Sequence, residues 1–269
     1  MAYRKENAVM QRLAPILLKF VNRRFGGMLA TKEKGAAYDV ASDIDVGADR
    51  LIARTIKKNF PLDVVRTEES SPTAALGNGR SWVVDPICGS TNVARGIQLF
   101  CSNIALVQHN CVVAAWVLDY SRQRLLWSVG AGVFDGRRRI PRIGRDTRHT
   151  LIDIDWGYFW RLPKKIQKAY SALDGDARVS AGFEALELCS SLGFVYVATG
   201  QLQGAVCIDV NSWDVAAAAF LIERSGGVVT NFDGSAWSLE SRSLVMAGSR
   251  AVHNTLLKLI QKNGLQNVK

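Results

Sequence analysis

A short apolar segment ends in a carboxylate and then turns into hydroxyl side chains. Residues 82–92 read Trp-Val-Val-Asp-Pro-Ile-Cys-Gly-Ser-Thr-Asn, so Asp85 ends a predicted strand and a Gly-Ser-Thr turn follows it. A carboxylate is a ligand for a hard cation, and the backbone N–H groups of a turn that opens a helix suit a phosphate oxygen. The segment therefore predicts a metal-assisted phosphate site, in which Cys88 is the unusual member.

Three more acidic residues lie at the ends of predicted elements. Asp45 begins a helix, Glu68 follows a strand, and Asp214 begins an apolar helix. Carboxylates from distant segments can converge at such ends, and Mg²⁺ prefers hard oxygen ligands. Each residue also fits a plain structural role, since Asp45 and Asp214 can serve only as helix N-caps and Glu68 as a solvated charge.

Hydrophobic spacing predicts the elements that would position these side chains. It indicates an α/β (α+β) fold, with an N-terminal α+β subdomain over residues 1–145 that carries the metal-site motifs and an antiparallel sheet. A C-terminal α/β subdomain over residues 146–269 would supply Trp213 and Asp214. The predicted helices are 5–25, 45–60, 163–172, 184–198, 214–225 and 253–262, and the predicted strands are 62–65, 82–85, 101–108, 112–118, 124–129, 150–156, 177–179, 204–208 and 244–247.

Composition narrows the class of protein. The 269 residues are 48% hydrophobic, but no apolar run approaches the roughly 20 residues of a membrane span, so we expect no membrane partner. The five cysteines include no C-x-x-C pair, which favours a reducing compartment and argues against a zinc site. The first residues lack the apolar segment of a signal peptide, so we expect a cytoplasmic protein.

The chain has a formal net charge of +10, and its densest basic run is residues 137–139, with Arg142, Arg145 and Arg148 beyond them. The run follows an Asp-Gly pair and is typical of a hairpin tip and the loop after it. It fits a solvated loop, a contact for a phosphorylated substrate or partner, or a nucleic-acid surface. Aromatic and basic residues do not alternate as in an RNA-binding sheet, so we expect no nucleic-acid partner.

Four ordered motifs make the chain resemble the inositol monophosphatase family of metal-dependent, lithium-sensitive sugar phosphatases. They are Asp45, Glu68-Glu69-Ser70, the Asp-Pro-Ile-Cys-Gly-Ser-Thr-Asn run of residues 85–92, and the Trp-Asp-Val-Ala-Ala run of residues 213–217. Their order and gaps are those of the family, and the resemblance runs nearly end to end. It implies a layered α/β/α/β/α sandwich of the inositol monophosphatase and fructose-1,6-bisphosphatase type.

The resemblance also implies a metal site. A first Mg²⁺ would be held by Glu68, Asp85 and the Ile87 carbonyl. A second would be reached by Asp85 and Asp214, with Cys88 at the place of its third ligand. Such metals supply an activated water and neutralise the phosphate, so the implied reaction is hydrolysis of a phosphomonoester without a covalent intermediate.

Catalytic and substrate contacts follow from the same resemblance. Asp45 and Glu68 would orient waters, and Ser90, where the family usually has Thr, would help Glu68 to activate the attacking water. The N–H groups of Gly89 and Ser90 would receive the phosphate, with Thr91 beside them. Asp214 completes the predicted contacts to the substrate at this end of the site.

Cys88 departs from the family pattern, which has a metal-binding Asp at this position. A thiol is a soft and mostly protonated ligand that Mg²⁺ should bind poorly. Three interpretations stay open. The enzyme works with a weaker or different second ion, such as Mn²⁺ or Zn²⁺, or mainly with one metal. Alternatively, the protein is a catalytically impaired relative that binds ligands or regulates, or Cys88 makes the site redox-controlled.

The substrate is less defined than the reaction. Family members select the alcohol with a residue shortly before the Trp-Asp motif, where this chain offers Asp209. The candidates are a phosphorylated alcohol such as inositol monophosphate, fructose 1,6-bisphosphate or a nucleotide phosphate. By the same resemblance we expect a homodimer.

Overall fold

Helices and sheets alternate in layers in the computed structural model, which describes residues 3–27, 31–33, 40–77, 79–141 and 149–268. Within those residues the helices are α1 (Arg4–Asn22), α2 (Asp43–Asn59), α3 (Ser90–Ala94), α4 (Lys164–Val179), α5 (Leu192–Ala198), α6 (Ser212–Arg224) and α7 (Arg250–Lys262). The strands are β1 (Thr31–Glu33), β2 (Val40–Ser42), β3 (Val64–Thr67), β4 (Arg80–Cys88), β5 (Cys101–Gln108), β6 (Cys111–Asp119), β7 (Arg124–Ser128), β8 (Phe134–Asp135), β9 (Arg138–Arg139), β10 (Leu151–Asp155), β11 (Glu184–Leu186), β12 (Gly204–Cys207), β13 (Val228–Asn231) and β14 (Leu244–Ala247).

The strands form two main sheets. The first has the order β3-β4-β5-β6-β7-β8-β9, in which β3 and β4 are parallel and every later pair is antiparallel. The second has the order β11-β10-β12-β14-β13, in which β10 is parallel to both of its neighbours. The antiparallel meander predicted for the first half is therefore the centre of the first sheet.

Alternating side chains of β4 show how the layers are built. Trp82 and Val84 point toward α1 and α2, where they pack with Leu13 and Ile52. Val83 points to the opposite face and packs with α5 and α6. Successive side chains of a strand point to opposite faces, so this one strand joins an outer helical layer to an inner one.

The inner helices fill the space between the two sheets. In α6 every residue from Val215 to Ile222 is buried, as expected of a helix with sheets on both sides. The same apolar cluster includes Ala205 and Met246 of the second sheet, while α4 and α7 cover that sheet's outer face with Tyr170 and Leu256. The predicted α/β/α/β/α sandwich is confirmed.

Two predicted elements of the second half are wrong. Residues 177–179 were expected to form a strand, but they continue α4, because Tyr170, Leu173 and Ala177 share one buried helical face. The helix predicted over residues 184–198 is a strand, a bend and a shorter helix, since β11 pairs in parallel with β10 before α5 begins at Leu192. This break allows the bend to approach the end of β4.

The basic hairpin is present at the expected place. β8 and β9 pair through Asp135 and Arg138, and Arg138 and Arg139 are exposed. The basic loop predicted beyond it, with Arg142, Arg145 and Arg148, lies outside the described residues. The predicted boundary near residue 145 falls in the same region and remains a prediction. No helix in the described part of the chain has the length and apolar character needed to cross a membrane.

Candidate functional site

The end of β4 carries the first part of the site. Antiparallel pairing with β5 is regular to Asp85, shifts over Pro86 and Ile87, and resumes where Cys88 lies opposite Cys101. Proline has no backbone N–H to donate to the neighbouring strand, and strands accommodate proline at irregularities of this kind. Asp85 is 1% exposed, and its Oδ1 has no hydrogen-bond partner among the described residues.

The start of α6 brings a second carboxylate to the same place. Asp214 caps the helix, because its Oδ2 accepts the Asn211 N–H at 2.7 Å. Ligand atoms of Asp85, Cys88 and Asp214 nevertheless all lie within 4.8 Å of one another. The capping role and a role in a metal site are therefore compatible for Asp214.

The electrostatics of this cluster favour a bound cation. Burial raises the pKa of Asp85 well above its ordinary value, with further contributions from Cys88 and Glu68. Burial, followed by the charge of Glu68, likewise raises the pKa of Asp214. A divalent cation would stabilise both ionised carboxylates and would give Asp85 Oδ1 a partner, so the residues present fit a metal.

Cys88 is the weak member of that ligand set. A hydrogen bond with Cys101, followed by burial, raises the pKa of the Cys88 thiol. Its Sγ also accepts the Ser191 N–H at 3.2 Å. A thiol held protonated is a poor ligand for Mg²⁺ and a better one for softer ions once it loses its proton.

Asp45 and Ser90 form a polar pair beside the cluster. Asp45 closes a capping box at the start of α2, where its Oδ2 accepts the Ser42 N–H at 2.9 Å. Its other oxygen accepts the Ser90 hydroxyl, and the Ile87 carbonyl oxygen lies 3.1 Å from Ser90 Oγ. The helix cap and the contact to the site are thus served by different oxygens of Asp45.

The turn after β4 depends on Gly89. Its φ is +110°, and a Cβ there would lie 3.0 Å from the Leu99 carbonyl oxygen and 3.1 Å from Ser190 Cβ. The Ser190 hydroxyl donates to the Cys88 carbonyl at 2.8 Å. The turn is therefore held against the bend between β11 and α5, and any residue other than glycine would displace it.

These groups face one cleft of about 590 Å³. The predicted site residues that line it are Glu68, Asp85, Ile87, Cys88, Gly89, Ser90, Thr91 and Asp214. Asp45 reaches the cleft only through Ser90. Asp209 is not brought to it, because the Arg242 guanidinium donates to its carboxylate, with Nε 2.8 Å from Oδ1, and only the neighbouring Val210 lines the wall.

The cleft also contains a second acidic group, which was not predicted from the sequence. Asp155 ends β10 and lines the cleft, as does Glu187, which follows β11. Asp153, two residues before Asp155 on β10, is buried. Burial raises the pKa of Asp155 to about 6, although the Gly157 N–H donates to its Oδ1 at 2.8 Å. The rule that singled out Asp85, a carboxylate at the end of an apolar strand, applies equally to Asp155.

An aromatic wall was also missed. We give this name to Trp156, Tyr158, Phe159 and Trp160, which follow β10 and line the cleft. Four aromatic residues within five positions were the available signal.

Sequence comparison decides the family. The profile of the inositol monophosphatase family matches residues 4–265. The chain belongs to the inositol monophosphatase family. The resemblance inferred from the four motifs is thereby confirmed, and the family is of the phosphatase type.

Individual relatives of this family carry different names. The chain is 29% identical over 229 residues to the Nus factor SuhB of Pasteurella multocida, which covers 82% of each chain. It is 29% identical over 251 residues to the inositol-1-monophosphatase of Mesorhizobium japonicum, covering 90% of this chain and 91% of that protein. An IMPase/NADP phosphatase solved with Mg²⁺ and phosphate has the same fold, with a TM-score of 0.77 at 18% identity over 97% of this chain and 95% of that one.

Proposed function

We propose that the protein is a Mg²⁺-dependent phosphomonoesterase that hydrolyses a small phosphorylated alcohol. One observation carries the proposal, namely the convergence of Asp85, Cys88 and Asp214 within 4.8 Å at a cleft that also exposes the turn of residues 89–91. Family membership supports it, as does the similar IMPase/NADP phosphatase that was solved with Mg²⁺ and phosphate.

In this proposal Glu68, Asp85 and the Ile87 carbonyl hold one Mg²⁺, and Asp85, Asp214 and Cys88 surround a second position. Metals bound there supply an activated water and neutralise the charge of the phosphate. The thiol of Cys88 favours Mn²⁺ or Zn²⁺ over Mg²⁺ at the second position.

The polar pair of Ser90 and Asp45, beside the proposed metal positions, would bind the attacking water by a hydrogen bond. The Ser90 hydroxyl donates to Asp45, so a lone pair of Ser90 Oγ is left to accept a hydrogen bond from a water in the cleft. Glu68, which lines the same cleft, would orient that water directly, and Asp45 would act on it only through Ser90. The N–H groups of Gly89 and Ser90 bind the phosphate oxygens.

Phosphate release tests the proposal. The protein should hydrolyse at least one member of a panel of inositol, sugar and nucleotide phosphates in the presence of Mg²⁺, Mn²⁺ or Zn²⁺. Asp85→Asn should lower kcat/KM by at least about a hundredfold, while Asp209→Asn, a matched change outside the cleft, should lower it far less. Absence of turnover with all three metals would refute the proposal, and equal losses in the two variants would mean that the roles are assigned wrongly.

The alternative is a catalytically impaired family member that binds phosphorylated ligands or regulates a partner. The protonated thiol of Cys88 in the ligand set favours it, and several relatives are named Nus factors. This alternative predicts binding of phosphate compounds without turnover. That the protein is a cytoplasmic homodimer without a nucleic-acid partner remains a prediction, and sedimentation and binding assays would test it.

A further inference from the structure

The aromatic wall lies in the cleft that carries the proposed metal site. Each of its four side chains is partly buried, and all four line the cleft together with Asp85 and Asp214. A concave surface that combines half-buried rings with a few polar groups is typical of a ligand site. The wall is therefore positioned to contact the alcohol part of a phosphomonoester.

A glycine builds the turn that places the wall. Gly157 has a φ of +43°, and a Cβ at this position would lie 2.3 Å from the Ile208 carbonyl oxygen. The Asp155 carboxylate accepts the Gly157 N–H and fixes the turn from the other side. The chain thus leaves β10 in close contact with the strand beside it and turns toward the cleft.

Two rings of the wall are anchored in the protein. Trp156 packs edge-on against Tyr170 of α4, with ring centroids 5.0 Å apart, and Phe159 packs edge-on against Trp156 at 4.9 Å. Tyr170 is fully buried and donates its hydroxyl to the Asp155 carbonyl at 2.7 Å. These contacts connect the wall to the core of the second sheet.

The other two rings form the outer part of the wall. Tyr158 and Trp160 are perpendicular to each other with centroids 5.4 Å apart, and the Arg161 guanidinium lies 4.1 Å from the Tyr158 ring centre. A guanidinium stacked on a ring restricts the motion of that ring. Tyr158 and Trp160 therefore form a preformed corner, in which one ring can stack on a flat group while the other contacts its edge.

Polar groups at the foot of the wall include hydrogen-bond acceptors, with Lys164 as a donor beside them. Asp155 and Glu187 line the cleft beside Trp156, and burial raises the pKa of both carboxyls. Gln167 of α4 completes this side of the cleft. Ring N–H, amino and hydroxyl donors of a ligand would find partners here, whereas the rings above them offer none.

We propose that the substrate alcohol carries a flat nitrogen-containing aromatic ring, as a nucleoside does, and that Tyr158 and Trp160 select it, one ring by stacking on its face and the other by contact with its edge. The inference rests on the proposed function and narrows its substrate class. A polyol such as inositol is not flat and can place only its C–H groups on these rings, with its hydroxyl groups turned away. A flat aromatic ring covers more of the wall and gains stacking contacts that a polyol lacks.

Adenosine 5′-phosphate and ribose 5-phosphate test the inference, because they differ only in the base. We expect kcat/KM to be at least about tenfold higher for the nucleotide. Trp160→Ala should remove that advantage, because it lowers kcat/KM for the nucleotide far more than for ribose 5-phosphate. Trp237→Ala is the matched control, since Trp237 lies outside the cleft and donates to Glu223 at 2.9 Å. Equal rates for the two compounds, or equal losses in Trp160→Ala, would overturn the inference while the phosphatase proposal stands.

A binding measurement separates the two proposals. Saturation-transfer NMR with adenosine, which has no phosphate to hydrolyse, should show contacts to the adenine protons in the wild type and not in Tyr158→Ala or Trp160→Ala. If this contact is found but no metal supports turnover, the phosphatase proposal fails and the recognition of the ring stands. If the adenine protons receive no saturation, the inference is wrong whatever the activity.

Discussion

At the scale of single residues, Cys88 would determine the metal preference of the proposed site. It lies opposite Cys101, and its Sγ lies within 4.8 Å of carboxylate oxygens of the buried Asp85 and the half-buried Asp214. A hard ligand at this position would suit Mg²⁺, whereas the thiol suits softer ions. The residue therefore separates a phosphatase with altered metal preference from an impaired relative.

Restoring a carboxylate at this position should restore Mg²⁺ binding. Cys88→Asp is expected to tighten the Kd for Mg²⁺ by at least about tenfold in calorimetry, because it adds a hard oxygen to the set. Cys88→Ser is the control, since it removes the sulfur without adding a charge and should leave Mg²⁺ binding weak. Unchanged affinity in Cys88→Asp would show that residue 88 does not contact the metal.

Asp155 should make the stability of the protein depend on pH. Burial raises its folded-state pKa from 3.8 to about 6, so the charged form is disfavoured in the native state. Stability is therefore lost as pH rises from about 4 to about 6, and the loss is complete above that range. Asp155→Asn lacks this loss, so denaturant unfolding should show it to be more stable than wild type by up to about 3 kcal/mol at pH 7.5 and by little at pH 4.

Asp174→Asn is the control for that experiment. Asp174 pairs with Arg178 on the surface of α4 at 3.1 Å, and such a pair contributes only about 0.5 kcal/mol. Its effect should be similar at both pH values. A stability difference between Asp155→Asn and wild type that does not change between pH 4 and 7.5 would contradict the role given to burial.

The convergence of the motif residues could be predicted from the sequence, but the contacts of other residues near them could not. Two of the ordered motifs contain Asp85, Cys88 and Asp214, and the structure brings these three side chains together. Asp209 was chosen by its distance from the Trp-Asp motif alone, and a cation from a distant loop, Arg242, binds it instead. Such long-range pairing leaves no local signal in the sequence.

At the scale of elements, a glycine in a helix can mark a place where the helix packs closely against a neighbouring strand. A Cβ on Gly193 of α5 would lie 1.6 Å from the Asp153 carboxylate oxygen of β10. Gly175 of α4 is exposed, and nothing lies within 4 Å of a Cβ there. One glycine is required by packing, and the other only weakens its helix.

Matched glycine substitutions test this difference. Gly193→Ala should destabilise the protein by about 1–3 kcal/mol or more, because α5 must move away from the second sheet. Gly175→Ala should stabilise it by about 0.5–1 kcal/mol through helix propensity. Denaturant unfolding measures both changes. A neutral Gly193→Ala would contradict the close contact of α5 with β10.

The wrongly predicted start of the helix over residues 184–198 has a physical cause. Residues 184–186 have ordinary helix formers, Glu, Ala and Leu, but they pair with β10 and become an edge strand. Tertiary pairing overrides local propensity in such short segments. By contrast, α6 and β4 were found because their apolar patterns are long and are stabilised from both sides.

The site exists only when the whole molecule is packed. Asp85 and Cys88 come from the first sheet, Asp214 from α6 between the sheets, and Asp155 from the second sheet. The layered fold follows from hydrophobic periodicity, but the meeting point of the layers does not, because it depends on how far each element extends. The cleft and its aromatic wall could therefore be recognised only in three dimensions.

A crystal structure after soaking with Mn²⁺ and phosphate tests the central claim most directly. Anomalous scattering should place Mn²⁺ against Asp85 and Asp214, with the phosphate beside the backbone of residues 89–91. Binding at this cluster would also show whether Cys88 Sγ is a ligand. A metal bound at Asp153, Asp155 and Glu187 instead, with none at Asp85 and Asp214, would contradict the account.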